Sequence, residues 1–267
     1  MSDELMIPER RSFEIMKAVV FALILREVRG KFGANRLAAF WFVMEPLAHV
    51  CLLLIIFIAI RQRMVPGVEF ALFLVNGVIP FILFKNITLK GMEAVSANRG
   101  LFSYRQIKPF DMVFARLIVE FALMACVYTL TLFALWWFFG YSVAIVKPIQ
   151  WFLMLMVGVV LSFGLALIYC VLISLIPEAT TLIKIMYLPL YFVTGVIFPI
   201  WMIPTKYMDF LLWNPYLHII ELMREYSIAH YPVSAQVNWE FPAAFALVSL
   251  VSGLYVYRAK RFQIVAA

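Results

Sequence analysis

The feature that most constrains this chain is the length of its uninterrupted apolar runs. Residues 149–176 contain no charged side chain, and 114–139 carry only Arg116 and Glu120. About 20 apolar residues suffice for a helix to cross the hydrocarbon core of a bilayer. An outer-membrane barrel would instead alternate in polarity over segments of roughly ten residues. The composition agrees with the helical alternative: 65% of residues are hydrophobic and 14% charged, against about a quarter charged in a soluble domain. An all-α, polytopic membrane protein is therefore expected.

Six apolar segments stand out, at residues 37–60, 70–89, 112–139, 149–176, 181–200 and 241–257. They define a six-span unit over 37–257, preceded by a cytoplasmic N-terminal segment (1–36) and followed by a cytoplasmic tail (258–267). The orientation follows from the basic residues. With both termini inside, seven fall between Arg10 and Arg36, six between Lys85 and Arg116, one at Lys184 and three after the last span. Only Arg61, Arg63, Lys147, Lys206 and Arg224 lie outside. The positive-inside rule selects this topology, and the net charge of +7 then calls for no nucleic-acid partner. The N-terminal residues lack the apolar core and small-residue cleavage site of a signal peptide. Ahead of the first span, residues 12–32 combine a short apolar run with Lys17, Arg26, Arg29 and Lys31. That pattern suits an amphipathic helix lying in the cytoplasmic interface.

Two connecting regions are distinctive. Residues 90–110, KGMEAVSANRGLFSYRQIKPF, are basic and polar; Gly100 is expected to stop a short helix and Pro109 to start the next. Arg116 and Glu120 follow at a spacing of four, which would place them on one helical face as a mutual intramembrane pair. The second region covers 201–230. Pro199 and Pro204 are expected to end the fifth span after Ile200, and Asn214 with Pro215 reads as a cap and helix start. Two helices, 205–213 and 215–229, would be too short to span, forming an outer helix pair. On the second, His218, Glu221 and Glu225 form a polar stripe with Arg224 beside it, facing either solvent or the exit of a pathway.

Little of the usual catalytic vocabulary is present. The three histidines are isolated, and Cys51, Cys126 and Cys170 sit in apolar runs without ligand spacing, so no metal site is expected and the cysteines are expected to pack as core residues. Gly30 and Lys31 are followed by Phe32, not by the pattern of a phosphate-binding loop, so the chain is not expected to hydrolyse ATP by itself. Glu45, in the first span beside Pro46, is an intramembrane carboxylate that could serve a proton relay or pair with a basic neighbour. Trp136, Trp137 and Trp151 read as an interfacial belt. Tyr187 and Tyr191, one turn apart inside the fifth span, are better placed to line a passage, together with Phe40, Trp41, Phe198 and Trp201.

The sequences LREVRGKFGANRLAAFWFVMEP, YFVTGVIFPIWMIP and WNPYLHIIELMRE, in a six-span chain with a basic loop after span two, resemble the permease subunits of type-2 ABC exporters. Within them the chain is most similar to capsular polysaccharide export permeases. That resemblance implies a homodimer in a bacterial inner membrane, joined to two separate ATP-binding subunits. It also implies a periplasmic adaptor, outer-membrane export proteins and a lipid-linked acidic polysaccharide as cargo. ATPase coupling would fall to Arg26, Glu27, Arg29, Glu93, Asn98, Arg99, Gly100, Leu101 and Arg105. The outer pair with His218, Glu221, Arg224 and Glu225 would form the exit gate. A permease for O-antigen, teichoic acid or a small lipophilic compound, and an integral membrane transferase, remain alternatives.

Overall fold

A computed structural model describes residues 12–32, 36–60, 69–103 and 106–266. Nine α-helices occur in order among them: α1 (Ser12–Phe32), α2 (Arg36–Ile60), α3 (Phe70–Met92), α4 (Pro109–Phe139), α5 (Pro148–Leu175), α6 (Ala179–Val193), α7 (Thr205–Leu211), α8 (Pro215–Ser227) and α9 (Glu240–Ala266), with 3-10 turns at Ser96–Ser103 and Ile200–Met202. The described residues contain no strand. Among the described residues, four helical stretches are long and apolar enough to cross a membrane: Phe70–Met92, Pro109–Phe139, Pro148–Leu175 and Glu240–Arg261.

The centre of the bundle is α3. Its residues from Ala71 to Phe81 are all buried, including Asn76. Asn76 is satisfied in this position: it donates to the Leu72 carbonyl at 2.9 Å and accepts from the Tyr128 hydroxyl at 2.9 Å and the Trp151 indole at 3.4 Å. Trp151 is thus tied to the bundle and stacked on Tyr128, whereas Trp136 and Trp137 are exposed as a belt requires. Lipid tails are as apolar as side chains, so membrane helices gain adhesion by close backbone approach at small residues. α5 and α9 use this device. A Cβ on Gly164 would lie 2.5 Å from the Leu250 amide nitrogen, and one on Gly253 would lie 2.6 Å from the Gly164 carbonyl oxygen. A second polar tie joins three helices, with Thr88 of α3 donating to the Ser162 carbonyl of α5 and the Ser162 hydroxyl 2.9 Å from the Tyr216 hydroxyl of α8.

Several local expectations are corrected. The fifth segment leaves its helix at Val193, not after Ile200. Thr194 returns its hydroxyl to the Leu190 carbonyl, and Gly195 takes a φ of 69°, which ends the helix well before either proline acts. At about 22 Å, α6 is shorter than a bilayer core. The 90–110 segment forms a 3-10 turn kinked at Asn98, and Gly100 lies inside it, not at its end. Pro109 does open α4, and Asn214 does cap α8 by accepting from the Tyr216 amide at 3.0 Å. The outer helices end early, at Leu211 and Ser227. Cys170 is a core residue; Cys51 and Cys126 are exposed, on the outward faces of their helices.

Candidate functional site

A cavity of about 850 Å³ opens between α2, α3, α4 and α6. Its size falls within the range of ligand sites, roughly 300 to 1,000 Å³. One wall is aromatic, with Phe81, Tyr187, Tyr191 and Phe192; Phe81 and Tyr191 meet edge to face with centroids 5.2 Å apart. The Tyr191 hydroxyl is 3.0 Å from His49 Nε2 on α2, bridging two helices across the site. The remaining walls carry charge: Glu45, Lys85, Lys90, Glu120 and Lys184. In a span each such group demands a partner or a ligand.

Most of these charges have protein partners. Glu120 is buried, and it accepts from Lys90 at 2.9 and 3.1 Å and from Asn86 at 3.2 Å. Arg116, expected to pair with it, turns away. Its Nη1 donates to the Lys90 carbonyl at 2.6 Å, and its Nε lies 3.3 Å from Glu27 of α1, in ion-pair range though not aligned for a hydrogen bond. Arg preceding Glu at a spacing of four is the less favourable order for a helical pair, and neighbouring helices offer both residues better partners. Lys184 pairs with Glu93, directly after α3.

The expected passage residues divide accordingly. Tyr187 and Tyr191 line the cavity; Phe40, Trp41, Phe198 and Trp201 are not among its described lining residues. Phe40 and Trp41 are exposed near the start of α2, while Phe198 stacks near Phe192 and Trp201 packs on Tyr231. Of the residues expected to couple to an ATPase, Arg26, Arg29, Arg99 and Gly100 are exposed, and Glu27 and Glu93 are held in the two ion pairs above. Asn98 donates to the Ala94 carbonyl, Leu101 packs against the core, and Arg105 lies outside the described residues.

The polar stripe of α8 faces neither solvent nor an opening. His218, Glu221 and Arg224 are buried inside the protomer, and only Glu225 remains partly accessible, 3.4 Å from Lys147. The Arg224 guanidinium carbon lies over the Phe73 ring, 3.6 Å from its centroid. It donates to Glu221 at 2.8 Å and to the carbonyls of Gly195, Val196 and Phe73 at 2.8, 2.7 and 3.3 Å. Tyr231 donates to Glu221 from the other side. Gly77 makes room for this guanidinium, since a Cβ there would sit 2.2 Å from Nη2. The cluster fastens the turn after α6 onto α3. A buried charge pair survives only when its remaining hydrogen-bonding capacity is met in this way. His218 accepts from the Asn238 amide at Nδ1 and lies 2.9 Å from the Leu212 carbonyl at Nε2, the arrangement of a neutral ring protonated on Nε2. Burial pushes its pKa down. Sequence reasoning missed Phe73, Gly77 and Tyr231 as members of this cluster, and Lys85, Asn86 and His49 as cavity residues; Lys85 inside an apolar run was the available signal.

The family model of the ABC-2 type transporter matches residues 18–228. The polysialic acid transport protein KpsM of Escherichia coli is 40% identical over 251 residues, covering 94% of this chain and 96% of that protein. The capsule polysaccharide export inner-membrane protein CtrC of Neisseria meningitidis serogroup B is 26% identical over 91% of this chain and 90% of its own length. BexB of Haemophilus influenzae, also a capsule polysaccharide export inner-membrane protein, is 24% identical over 80% of this chain and 81% of its own. With a family match over most of its length and a relative of this similarity from end to end, the chain belongs to the ABC-2 type transporter family.

Proposed function

We propose that the chain is the inner-membrane permease subunit of a transporter that exports a lipid-linked, acidic capsular polysaccharide. The observation that carries this reading is the end-to-end similarity to KpsM, with CtrC and BexB supporting the same cargo class. The chain works as a homodimer with two separate ATP-binding subunits, which bind ATP and magnesium and supply the energy; a periplasmic adaptor and outer-membrane proteins receive the polymer. Six crossings place both termini in the cytoplasm, with α1 in the inner interface and α7–α8 at the outer one, as the distribution of Lys and Arg supports.

The cavity between α2, α3, α4 and α6 is the protomer's share of the passage. Aromatic rings suit a moving glycan because they give contact without a fixed hydrogen-bond register, and Tyr187 and Tyr191 provide such faces. Nucleotide-driven movement at the 3-10 turn Ser96–Ser103, with Arg26 and Arg29 of α1 as the other wall of the ATPase contact, opens and closes that passage.

The test is deletion of the gene and its return on a plasmid. Acidic capsule should vanish from the surface and come back, and an ATP-binding subunit should copurify with the tagged chain. Loss of a neutral surface glycan with normal capsule would identify another cargo. Glycosyl transfer by the purified chain alone would identify an enzyme.

A further inference from the structure

A second, smaller pocket of about 300 Å³ lies apart from the large cavity, lined by Asp209 of α7, Leu212 and Trp213 of the turn after it, and Phe241 in the first turn of α9. Glu240–Arg261 is one of the stretches able to cross the membrane, so Phe241, beside its first residue, marks the level at which that helix meets the lipid headgroups. α7 turns Met208 and Leu211 inward and leaves Lys206, Tyr207, Asp209 and Phe210 exposed; the Trp213 ring that follows is 78% exposed and open to a ligand. Aromatic rings are common at this depth. A carboxylate set between two of them is not. Among the described residues, the Asp209 side chain has no hydrogen-bond or ion-pair partner, and neither has Lys206, one turn before it.

We propose that this pocket binds the ethanolamine headgroup of a membrane phospholipid, with its primary ammonium on the Asp209 carboxylate and against the rings of Trp213 and Phe241. Charge and chemistry select that occupant. A primary ammonium donates charge-assisted hydrogen bonds to a carboxylate, and aromatic faces attract the same cation. The quaternary ammonium of choline has no N–H to donate, and a glycerol headgroup brings no cation. Lys206 and Asp209 are three residues apart on α7, hence neighbours on its surface. The phosphate of the lipid is two carbons from its ammonium, so each end of the zwitterion meets an unpartnered side chain of opposite charge. The lipid would tie α7 to the membrane end of α9. Phe241 also packs on His218 of α8, with ring centroids 5.2 Å apart, so the bound headgroup steadies both outer helices. The site needs α7 at a membrane surface and is independent of the identity of the cargo.

The test uses the full-length chain, purified and stripped of lipid, with bound phospholipid counted by native mass spectrometry. It is titrated with dioleoyl phosphatidylethanolamine, phosphatidylcholine or phosphatidylglycerol. Wild type should hold phosphatidylethanolamine in preference to the other two. Asp209→Asn should weaken that lipid by roughly tenfold or more, the scale of one lost charge-assisted bond, and Asp209→Glu should keep it within about threefold. Trp213→Ala should weaken it by about threefold, the scale of an exposed cation–π contact. Binding of phosphatidylglycerol should be the same in all four proteins. Equal wild-type affinity for the ethanolamine and choline lipids, or unchanged phosphatidylethanolamine binding in Asp209→Asn, would overturn the proposal. A fully deacetylated chitosan hexamer is the rival ligand. If Asp209→Asn weakens its binding and leaves that of phosphatidylethanolamine intact, the pocket takes an amino sugar and the lipid assignment fails. Should Asp209→Asn not assemble, Trp213→Ala carries the comparison, and failure of both to assemble makes the residues structural and overturns the proposal.

Discussion

At the scale of single residues, Arg224 decides the most. Alone on a short outer helix it would be an ordinary exposed cation; beneath the turn that follows α6 it is a fully buried clamp on three backbone carbonyls and Glu221. Removing one partner of a buried pair typically costs about 3 to 5 kcal/mol because the other charge is stranded. Arg224→Ala and Arg224→Glu should therefore both lose most folded protein, measured by fluorescence-detected size exclusion. Glu221→Gln should be milder, since a Gln oxygen still accepts from Tyr231 and Arg224 keeps its carbonyls. Equal abundance of Arg224→Glu and wild type would contradict the clamp. His218 supplies a pH dependence with a definite sign. Its folded pKa lies below the ordinary 6.5, chiefly through burial, so on acidification the unfolded chain takes up a proton that the folded chain resists. Stability is complete above 6.5 and declines as pH falls toward the folded value. The melting temperature of the wild type should drop between about pH 7 and 5 more steeply than that of His218→Gln.

At the scale of elements, helix starts and the ends of α2, α4 and α5 were legible in the sequence, whereas the ends of α6 to α9 were not. Pro109 and the Asn214–Pro215 cap act locally, so their signals survive folding. The end of α6 depends on Gly195 adopting a left-handed conformation with its carbonyl held by Arg224, and sequence order does not reveal that contact. The same limit explains the ion pairs. Arg116 and Glu120 share a helix, but their partners Glu27, Lys90 and Asn86 come from α1 and α3, which only the packed bundle brings near. Glu93 was expected to serve ATPase docking, and its partner Lys184 opens a route from that segment to Tyr187 and Tyr191 on the same helix. Both side chains are substantially solvent-accessible, so the pair adds little stability; its value would lie in transmission. Glu93→Lys and Lys184→Glu should each lower capsule export per ATP hydrolysed, and the double exchange should recover it. Single variants with normal export, or a double variant no better than either, would leave the pair without that role.

At the scale of the whole molecule, the number of crossings governs everything else, because it fixes which side of the membrane each loop meets. α3, α4, α5 and α9 have the length and apolarity of spans. α2 runs 25 residues, about 37 Å, and is long enough. α6 is the open case: its 15 helical residues fall short of the bilayer core, and crossing requires the turn from Thr194 to Met202 to complete the passage inside protein. The clamp of Arg224 on Gly195 and Val196 gives that turn satisfied carbonyls, which is what non-helical backbone at membrane depth needs. We therefore expect α6 to cross. Cysteine labelling with a membrane-impermeant reagent distinguishes the cases, after Cys51 and Cys126 have been replaced. Gly100→Cys and Glu178→Cys should react only from the cytoplasmic side, and Ser142→Cys and Lys206→Cys only from the periplasmic side; all four positions are exposed. If Lys206→Cys instead reacts from the same side as Glu178→Cys, α6 is re-entrant, the chain crosses five times, and the two termini lie on opposite faces of the membrane.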